Sequence, residues 1–295
     1  MAQTGMRDIR RRIRSIKSTM QITRGMELVA SAKLVKARKA FEAAKPYSQS
    51  ITHILKNTAK SESGVKHILL TGREAKNELF IVITSDRGLC GGYNSNLIKE
   101  VVSRLDKGIK PSFIVTGIRG AEHLRARGCS IIREYPGISD NPGLEHAADI
   151  ADRVLELIDQ GDADRVSLAY NRFVSAISQQ PEVFRLIPPV VEREEHLSAG
   201  HEESRPAKQE DLLSFEPSRS QVLDTIIPLY IRGMVYAALV EASASEQAAR
   251  RIAMGAATDN AESMIEELTL SYNRARQELI TREITEIIGG AEAIY

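Results

Sequence analysis

The chain has 295 residues, of which 42% are hydrophobic, 27% are charged and only 5% are aromatic, with no tryptophan. This length is enough for one large domain or two small ones, and the composition is typical of helices packed through small side chains. No run approaches the ~18 apolar residues of a membrane-spanning helix, and no apolar signal segment opens the chain. Cys90 and Cys129 fit no metal-binding spacing, which predicts two free thiols in a reducing compartment.

The net charge of +1 conceals an uneven distribution. Residues 1–45 contain twelve lysines or arginines and three acidic residues, a net charge of +9, so the remaining residues sum to −8. Three explanations fit such a basic segment: nucleic-acid phosphates, an acidic protein partner, or the solvated face of a coiled coil. The first is disfavoured, because no set of aromatic, Asn or Gln side chains is positioned to read bases.

Residues 1–60 are predicted to form a long helix. An apolar seam with strict heptad spacing comprises Met6, Ile9, Ile13, Ile16 and Met20. The seam is then expected to slip and to resume through Ile22, Met26, Ala30, Leu34, Ala37, Phe41 and Ala44. Gly25 lies inside the helix at a cost of about 1 kcal/mol relative to alanine. Pro46 is compatible with the helix only if the axis bends there.

Strands alternate with helices between residues 77 and 191. The segments predicted as strands are rich in β-branched residues and comprise residues 79–84, 112–116, 129–132 and 166–170, with a further candidate at 183–191. The segments predicted as helices comprise residues 94–105, 118–127 and 144–159. Strand and helix alternation implies crossover connections, so this region is predicted to be a Rossmann-like, mainly parallel α/β domain.

A polar, acidic loop is predicted over residues 192–217, followed by a second long helix over residues 218–289. Its seam is predicted from Ala261, Met264, Leu268, Tyr272, Ala275 and Leu279, which are three or four residues apart. A helix of about 100 Å needs a partner along its length. We therefore expect the terminal helices to form a long antiparallel coiled coil that flanks the α/β domain. Small residues at 237–261 are expected to give this rod a smooth surface.

The glycine-rich loop at residues 85–94, SDRGLCGGYN, follows a strand and opens a helix, where dinucleotide folds bind phosphate. Its glycines fall as GxxGG, however, and match neither GxGxxG nor the Walker pattern, so a tight turn is favoured over a nucleotide site. Cys90 is interpreted as a small buried residue, and His196 and His201 as part of a solvated loop. The residues predict no catalytic group, no cofactor and no metal site.

Three stretches carry a resemblance to a known family. They are IRRRIRSIKSTMQITRGMELVASAKL from Ile9, SDRGLCGGYNSNLIK from Ser85, and the terminal block that runs from ASEQAARRIAMGAATDNA to SYNRARQELITREITEIIGGA. Together, in this order, they resemble the gamma subunit of the F-type ATP synthase. The resemblance spans essentially the whole chain.

That resemblance implies a fold and a function. The terminal helices would form an asymmetric coiled coil inside a hexamer of alpha and beta subunits, with one copy of this chain per complex. The α/β domain would be a foot that binds the epsilon subunit and the membrane ring of c subunits. The chain would be the rotor shaft that couples ion flow to ATP synthesis or hydrolysis, without catalytic residues of its own. The absence of a presequence favours a bacterial source, on the cytoplasmic face of the cell membrane.

The resemblance also implies contact residues for the beta subunit. Met26 matches a rotor position near the beta lever, and Arg276 and Gln277 match a pair that meets a beta loop called the catch. Thr281 and Glu283 lie on the same helical stretch and are expected to contribute. The cysteine-pair insertion of plastid members is absent, so no thiol switch is expected. Two alternatives are a free nucleotide-binding enzyme built on the α/β domain and a basic nucleic-acid binder with salt-sensitive affinity.

Overall fold

The computed structural model describes residues 2–60, 68–71, 75–106, 108–189 and 219–292. The predicted loop at 192–217, with His196 and His201, lies outside these residues. The helices are α1 (Ala2–Lys60), α2 (Ile68–Thr71), α3 (Tyr93–Ser103), α4 (Ile118–Arg125), α5 (Leu144–Asp159) and α6 (Arg219–Glu292). The strands are β1 (Asn77–Ile83), β2 (Lys110–Thr116), β3 (Ile131–Tyr135), β4 (Arg165–Ser175) and β5 (Ser178–Ile187).

The five strands form one sheet in the order β3-β2-β1-β4-β5. Strands β1 to β4 are parallel, whereas β5 pairs with β4 in an antiparallel hairpin. The prediction of a mainly parallel, Rossmann-like sheet is therefore confirmed. The observed bounds of three strands differ from the predicted ones. Strand β3 extends to Tyr135, β4 continues to Ser175 and β5 begins at Ser178. The missed residues lie in edge strands or in the part of β4 that pairs only with β5, where polar residues interrupt the apolar runs of the central strands.

Helices cover both faces of the sheet. One face, with Phe80 and Val115, packs against α3 and α4. The other face, with Leu79 and Leu168, packs against α5 and against parts of α1 and α6. Because both faces are covered, the central strands are buried along almost their full length. The short helix α2, between α1 and β1, also lies on this second face.

The chain divides into two compact units, and the division passes through both long helices. One unit comprises residues 1–31 and 250–295, and the other comprises residues 32–249. The predicted domain bounds instead follow the ends of the helices. We call the unit of residues 1–31 and 250–295 the helix-pair unit, and the unit of residues 32–249 the sheet unit. The sheet unit contains the whole α/β domain and the adjoining halves of α1 and α6.

In the helix-pair unit, α1 and α6 run antiparallel. Arg10 Nη2 donates a hydrogen bond of 2.7 Å to Tyr272 Oη, and its guanidinium lies 5.4 Å from the ring centroid. Further along, the hydroxyls of Thr23 and Thr258 are hydrogen-bonded at 2.8 Å. Residue numbers that rise along α1 thus fall along α6, as the predicted antiparallel pair requires.

The predicted slip in the α1 seam is wrong. Ile22 is 61% exposed, and Thr23 occupies the buried position that follows Met20 at a spacing of three. The seam therefore continues through a polar residue, whose hydroxyl is satisfied by Thr258 and by the carbonyl of Met20. A threonine can take a core position only when such partners exist.

The α6 seam also needs one correction. Met264 is 51% exposed, whereas its neighbour Ile265 is half-buried in line with Ala261 and Leu268. A spacing of four followed by three replaces the predicted three followed by four. Both spacings suit a helix equally, so only the partner helix decides which residue faces inward.

Helix α6 is buried all round where it passes through the sheet unit. Every residue from Ala238 to Ala248 is buried. The predicted smooth outer surface is therefore wrong for this segment, because its small side chains pack inside the protein. Gly233 likewise allows close packing between the two helices, since a Cβ there would lie 2.7 Å from the Tyr47 ring of α1.

Two prolines lie inside the long helices. Residues remain helical across Pro46 in α1 and across Pro228 in α6. Within the described residues, one helical stretch, Gln221–Thr285, is long and apolar enough to cross a membrane by length and composition. Half of its most apolar window is buried in the structure. The core helix of a folded domain passes the same test.

Candidate functional site

The glycine-rich loop between β1 and α3 is held together by its own side chains. Asn94 accepts a hydrogen bond from the amide of Ser85 at 3.0 Å and donates one to the Ser85 hydroxyl at 2.6 Å. Cys90 is buried beside them, its sulfur 3.5 Å from the Asn94 amide nitrogen. Leu89 takes a left-handed φ of 62° and is exposed. The predicted tight turn and the buried Cys90 are confirmed.

Helix α6 lies against the edge of the sheet where a Rossmann fold would bind its ligand. That edge is the crevice beyond the carboxyl ends of β1 and β4, between which the strand order reverses. Tyr93, just after the glycine-rich loop, donates a 2.9 Å hydrogen bond to the carbonyl of Ala242. The amide of Phe173 on β4 donates a 3.0 Å hydrogen bond to Glu241. The chain's own helix thus packs at the edge of the sheet where other proteins of this fold bind nucleotides.

A second feature of a nucleotide site is also occupied internally. The Asp86 carboxylate accepts hydrogen bonds from three backbone amides: Ile118 at 3.2 Å, Gly137 at 2.8 Å and Ser139 at 3.1 Å. Ile118 is the first residue of α4, so a carboxylate of the protein lies where the helix dipole favours an anion. The sequence draws attention to the glycines of this loop, but only the structure shows that Asp86 binds the three amides.

The neighbouring β2–α4 turn depends on one glycine. Gly117 has a φ of 87°, and a Cβ there would lie 2.3 Å from the backbone oxygen of Thr84. The Thr84 hydroxyl in turn bonds the carbonyl of Thr116 at 2.7 Å and accepts from the amide of Gly120 at 3.0 Å. The two loops are therefore tied together by close backbone contacts and by the Thr84 hydroxyl.

Glu241 is a buried acid that was not predicted from the sequence. It is only 6% exposed, and burial raises the pKa of its carboxyl to about 7. Hydrogen bonds from the Phe173 amide and the Tyr170 hydroxyl oppose this rise, Glu182 adds to it, and Arg172 lowers it. An acid inside the apolar run VYAALVEASAS could have been noticed in the sequence, since such a residue needs buried partners.

A cavity of about 300 Å³ lies at the other end of the sheet. Its floor includes Glu78, which accepts a 2.6 Å hydrogen bond from the Ser167 hydroxyl and lies 3.9 Å from Arg165. Arg104 at its rim is paired with Glu100 on α3. The charges of Glu78, Arg165 and Arg104 are therefore paired within the protein. Among the described residues, no group of three potential metal ligands is found.

The residues predicted to meet a beta subunit all lie in the helix-pair unit. Arg276, Gln277, Thr281 and Glu283 are exposed on one stretch of α6, close to the exposed Ile280 and Ile284. Met26 on α1 is half-buried. The structure thus brings four of the five together on α6 and places the fifth near the seam of α1. Ile280 and Ile284 were not predicted, although their exposure gives this surface an apolar component.

The basic end of α1 is largely exposed. Arg11, Arg12, Arg14 and Lys17 all face solvent. Arg10 differs, because its guanidinium contacts Tyr272 of α6.

In the sheet unit, burial raises the pKa of the Cys129 thiol, which makes this half-buried side chain a weaker nucleophile at neutral pH.

Comparisons with known proteins define the class of this chain. The sequence profile of the family described as ATP synthase matches residues 5–294. The chain is 46% identical over 290 residues to the ATP synthase gamma chain of Alkaliphilus metalliredigens, covering 98% of this chain and 99% of the relative. It is 44% identical to the gamma chain of Heliobacterium modesticaldum, again over 290 residues, with the same coverage.

A solved structure shares the fold. The rotor of the Euglena gracilis mitochondrial ATP synthase, in rotational state 1, contains a chain with a TM-score of 0.66 and 21% identity, covering 94% of this chain and 99% of that one. The chain therefore shares its fold with a component of an ATP synthase rotor. Within that class, the chain belongs to the ATP synthase gamma chain family.

Proposed function

We propose that this chain is the central rotor shaft of a bacterial ATP synthase, without catalytic residues of its own. It transmits rotation between the membrane ring of c subunits and the catalytic hexamer of alpha and beta subunits, and it binds epsilon. The observation that carries the proposal is the 46% identity with a gamma chain over 98% of this chain. The paired helices are suited to the role, because such a pair resists twisting.

The helix-pair unit supplies the surface that the catalytic subunits sense. Arg276, Gln277, Thr281 and Glu283 on α6, with Met26 on α1, are the proposed contacts with beta subunits. Rotation presents this surface to each beta subunit in turn. Each conformation of a beta subunit must bind the surface with a different affinity, because otherwise rotation could not shift the equilibrium between those conformations. The complex then lies on the cytoplasmic face of the cell membrane, with one copy of this chain per hexamer.

Reconstitution tests the shaft. ATP hydrolysis by purified alpha and beta subunits is measured with and without this chain, alongside gel filtration of the mixture. We expect a complex with one copy of the chain per hexamer and faster turnover. A chain that elutes alone and leaves hydrolysis unchanged, while a known gamma subunit activates the same preparation, would contradict the proposal.

A pair of arginine variants tests the contact surface. Arg276→Ala is expected to lower coupled ATP synthesis about fivefold while the complex still assembles, because an interface arginine contributes about 1 kcal/mol or more. Arg274→Ala is the matched control, since Arg274 is also an exposed arginine and lies two residues away on the same helix. Equal synthesis rates in the two variants would remove Arg276 from the proposed contacts.

A further inference from the structure

The sheet unit includes part of each long helix. The division between the units falls between residues 31 and 32 of α1 and between residues 249 and 250 of α6. Lys33 and Gln247 lie close to these points and belong to the sheet unit. Within the sheet unit, side-chain contacts of this kind carry torque between the helices and the α/β domain together with the covalent connections of the chain.

One carboxylate of the α/β domain holds both helices here. Asp140 lies in the loop between β3 and α5. Its Oδ2 accepts a 2.8 Å hydrogen bond from Lys33 Nζ on α1, and its Oδ1 accepts a 3.1 Å hydrogen bond from Gln247 Nε2 on α6. The Lys33 and Asp140 side chains are only 40% and 35% exposed. A charge-assisted contact of this geometry resists sideways movement of either helix, which an alanine surface does not.

The loop that carries Asp140 is itself anchored to the sheet. The preceding residue, Ser139, donates its amide to Asp86 at 3.1 Å, and the Asp86 amide donates to the Ser139 hydroxyl at 3.3 Å. Gly137 donates to the same Asp86 carboxylate. Since Asp86 closely follows β1, a short path of hydrogen bonds connects the centre of the sheet with both helices.

The β4–β5 hairpin makes a second, mainly apolar contact with both helices. The Phe173 amide bonds Glu241 of α6, and the Phe173 ring lies 6.5 Å, edge to face, from the Phe41 ring of α1. Leu34, Ala244 and Ala248 form a small cluster beside it. Two connections of the α/β domain thus each contact both helices, one through a carboxylate and one through an aromatic ring.

We propose that Asp140 is a positioning residue for rotation, which fixes α1 and α6 in one rotational setting relative to the α/β domain. This inference rests on the proposed function of the chain as a shaft. Without the Asp140 contacts, the apolar cluster around Phe173 still holds the domain together. The helices then shift more easily against it, so that part of each rotation is lost as twist at the junction.

Charge reversal in the assembled ATP synthase tests the proposal. The variants are Asp140→Lys, Lys33→Asp and the two combined. Each single variant is expected to lower the torsional stiffness of the rotor about twofold in single-molecule rotation, and to lower gradient-driven ATP synthesis similarly, because a half-exposed ion pair is weak. The double variant is expected to recover most of both, since the Gln247 amide can turn its oxygen towards a lysine.

Two further variants keep the outcome decisive. Glu134→Lys reverses a carboxylate paired with Arg125, a contact that touches neither long helix, and is expected to leave stiffness unchanged. If Asp140→Lys fails to assemble, Asp140→Asn carries the test, with a smaller loss of stiffness expected. Wild-type stiffness in the assembled Asp140 variants, or no recovery in the double variant, would overturn the role of Asp140. If the wild-type chain does not rotate on ATP addition, the shaft itself is refuted.

Discussion

Helix α6 lies in two different environments along its length. In the sheet unit, eleven successive residues from Ala238 to Ala248 are buried, so this segment has no solvent face. In the helix-pair unit, the described residues after Ala261 are at most half-buried, and only at the seam. One segment is packed on every side like a core helix, and the other buries a single stripe.

This difference separates two tasks within one continuous helix. The buried segment connects the helix with the sheet, and small side chains there allow neighbouring elements to approach closely. The exposed segment keeps its outer face available for partner subunits, including the proposed contacts at Arg276 and Gln277. We therefore expect mutations in the first segment to act on stability, and mutations in the second to act on coupling.

The largest effect is expected from pH, through Glu241. Its pKa rises from 4.5 unfolded to about 7 in the folded protein, so the folded state keeps a proton that the unfolded state releases. The stabilisation is present below about pH 4.5 and is lost as the pH rises through about 7, by up to about 3 kcal/mol. Glu241→Gln should remove this pH dependence, as measured by urea unfolding at pH 5 and pH 8.

The titratable and charged groups that face Glu241 are Tyr170 and Arg172 on β4 and Glu182 on β5. Glu262→Gln is the matched control, because Glu262 is an exposed residue of the same helix in the other unit. That variant should retain the pH dependence of the wild type. A wild-type protein equally stable at both pH values would refute the assignment to Glu241.

Overpacking distinguishes the two segments directly. Ala244 is fully buried, so Ala244→Leu should lower the free energy of unfolding by about 1–3 kcal/mol. Ala256 is exposed on the same helix, and Ala256→Leu should change it by less than about 0.5 kcal/mol. Thermal unfolding of the two variants followed by circular dichroism makes the comparison. Equal melting temperatures would show that the segment around Ala244 is less tightly packed than described.

The smallest effect is expected at a glycine. Gly25 is exposed within α1, and a Cβ added there would have no neighbouring atom within 4 Å, so Gly25→Ala should stabilise the helix by about 0.5–1 kcal/mol. Gly233→Ala has the same gain in helix propensity, but its Cβ would meet the Tyr47 ring at 2.7 Å. Its melting temperature should therefore not rise. A rise of equal size in both variants would contradict the close packing at Gly233.

Apolar periodicity was sufficient to predict both long helices. Their antiparallel pairing was predicted from the α/β domain that lies between them in the sequence, and the mainly parallel sheet from the alternation of strands and helices. Periodicity failed where the facing helix decides which of two adjacent residues is buried: Thr23 rather than Ile22 on α1, and Ile265 rather than Met264 on α6. Thr23 is polar, so the apolar pattern does not reveal it, and its burial depends on the hydroxyl of Thr258 on the other helix. The extent of β5 was missed for a related reason, because its first half is a polar edge.

The contacts that join the helices to the α/β domain could not be predicted from sequence. Asp140 and Lys33 are 107 residues apart, and a single acid in a loop has no spacing that identifies its partner. Glu241 gave a weak signal as an acid in an apolar run. The proposed beta contacts came from resemblance alone, and they remain predictions that the Arg276 variant tests.

The Asp86 carboxylate has a consequence for the cell. Because this acid fills the anion position at the start of α4, the α/β domain carries its own negative charge where related folds recruit a phosphate. We therefore expect free ATP, ADP and inorganic phosphate to leave the backbone amides around Asp86 unoccupied, because the protein's own carboxylate already accepts their hydrogen bonds.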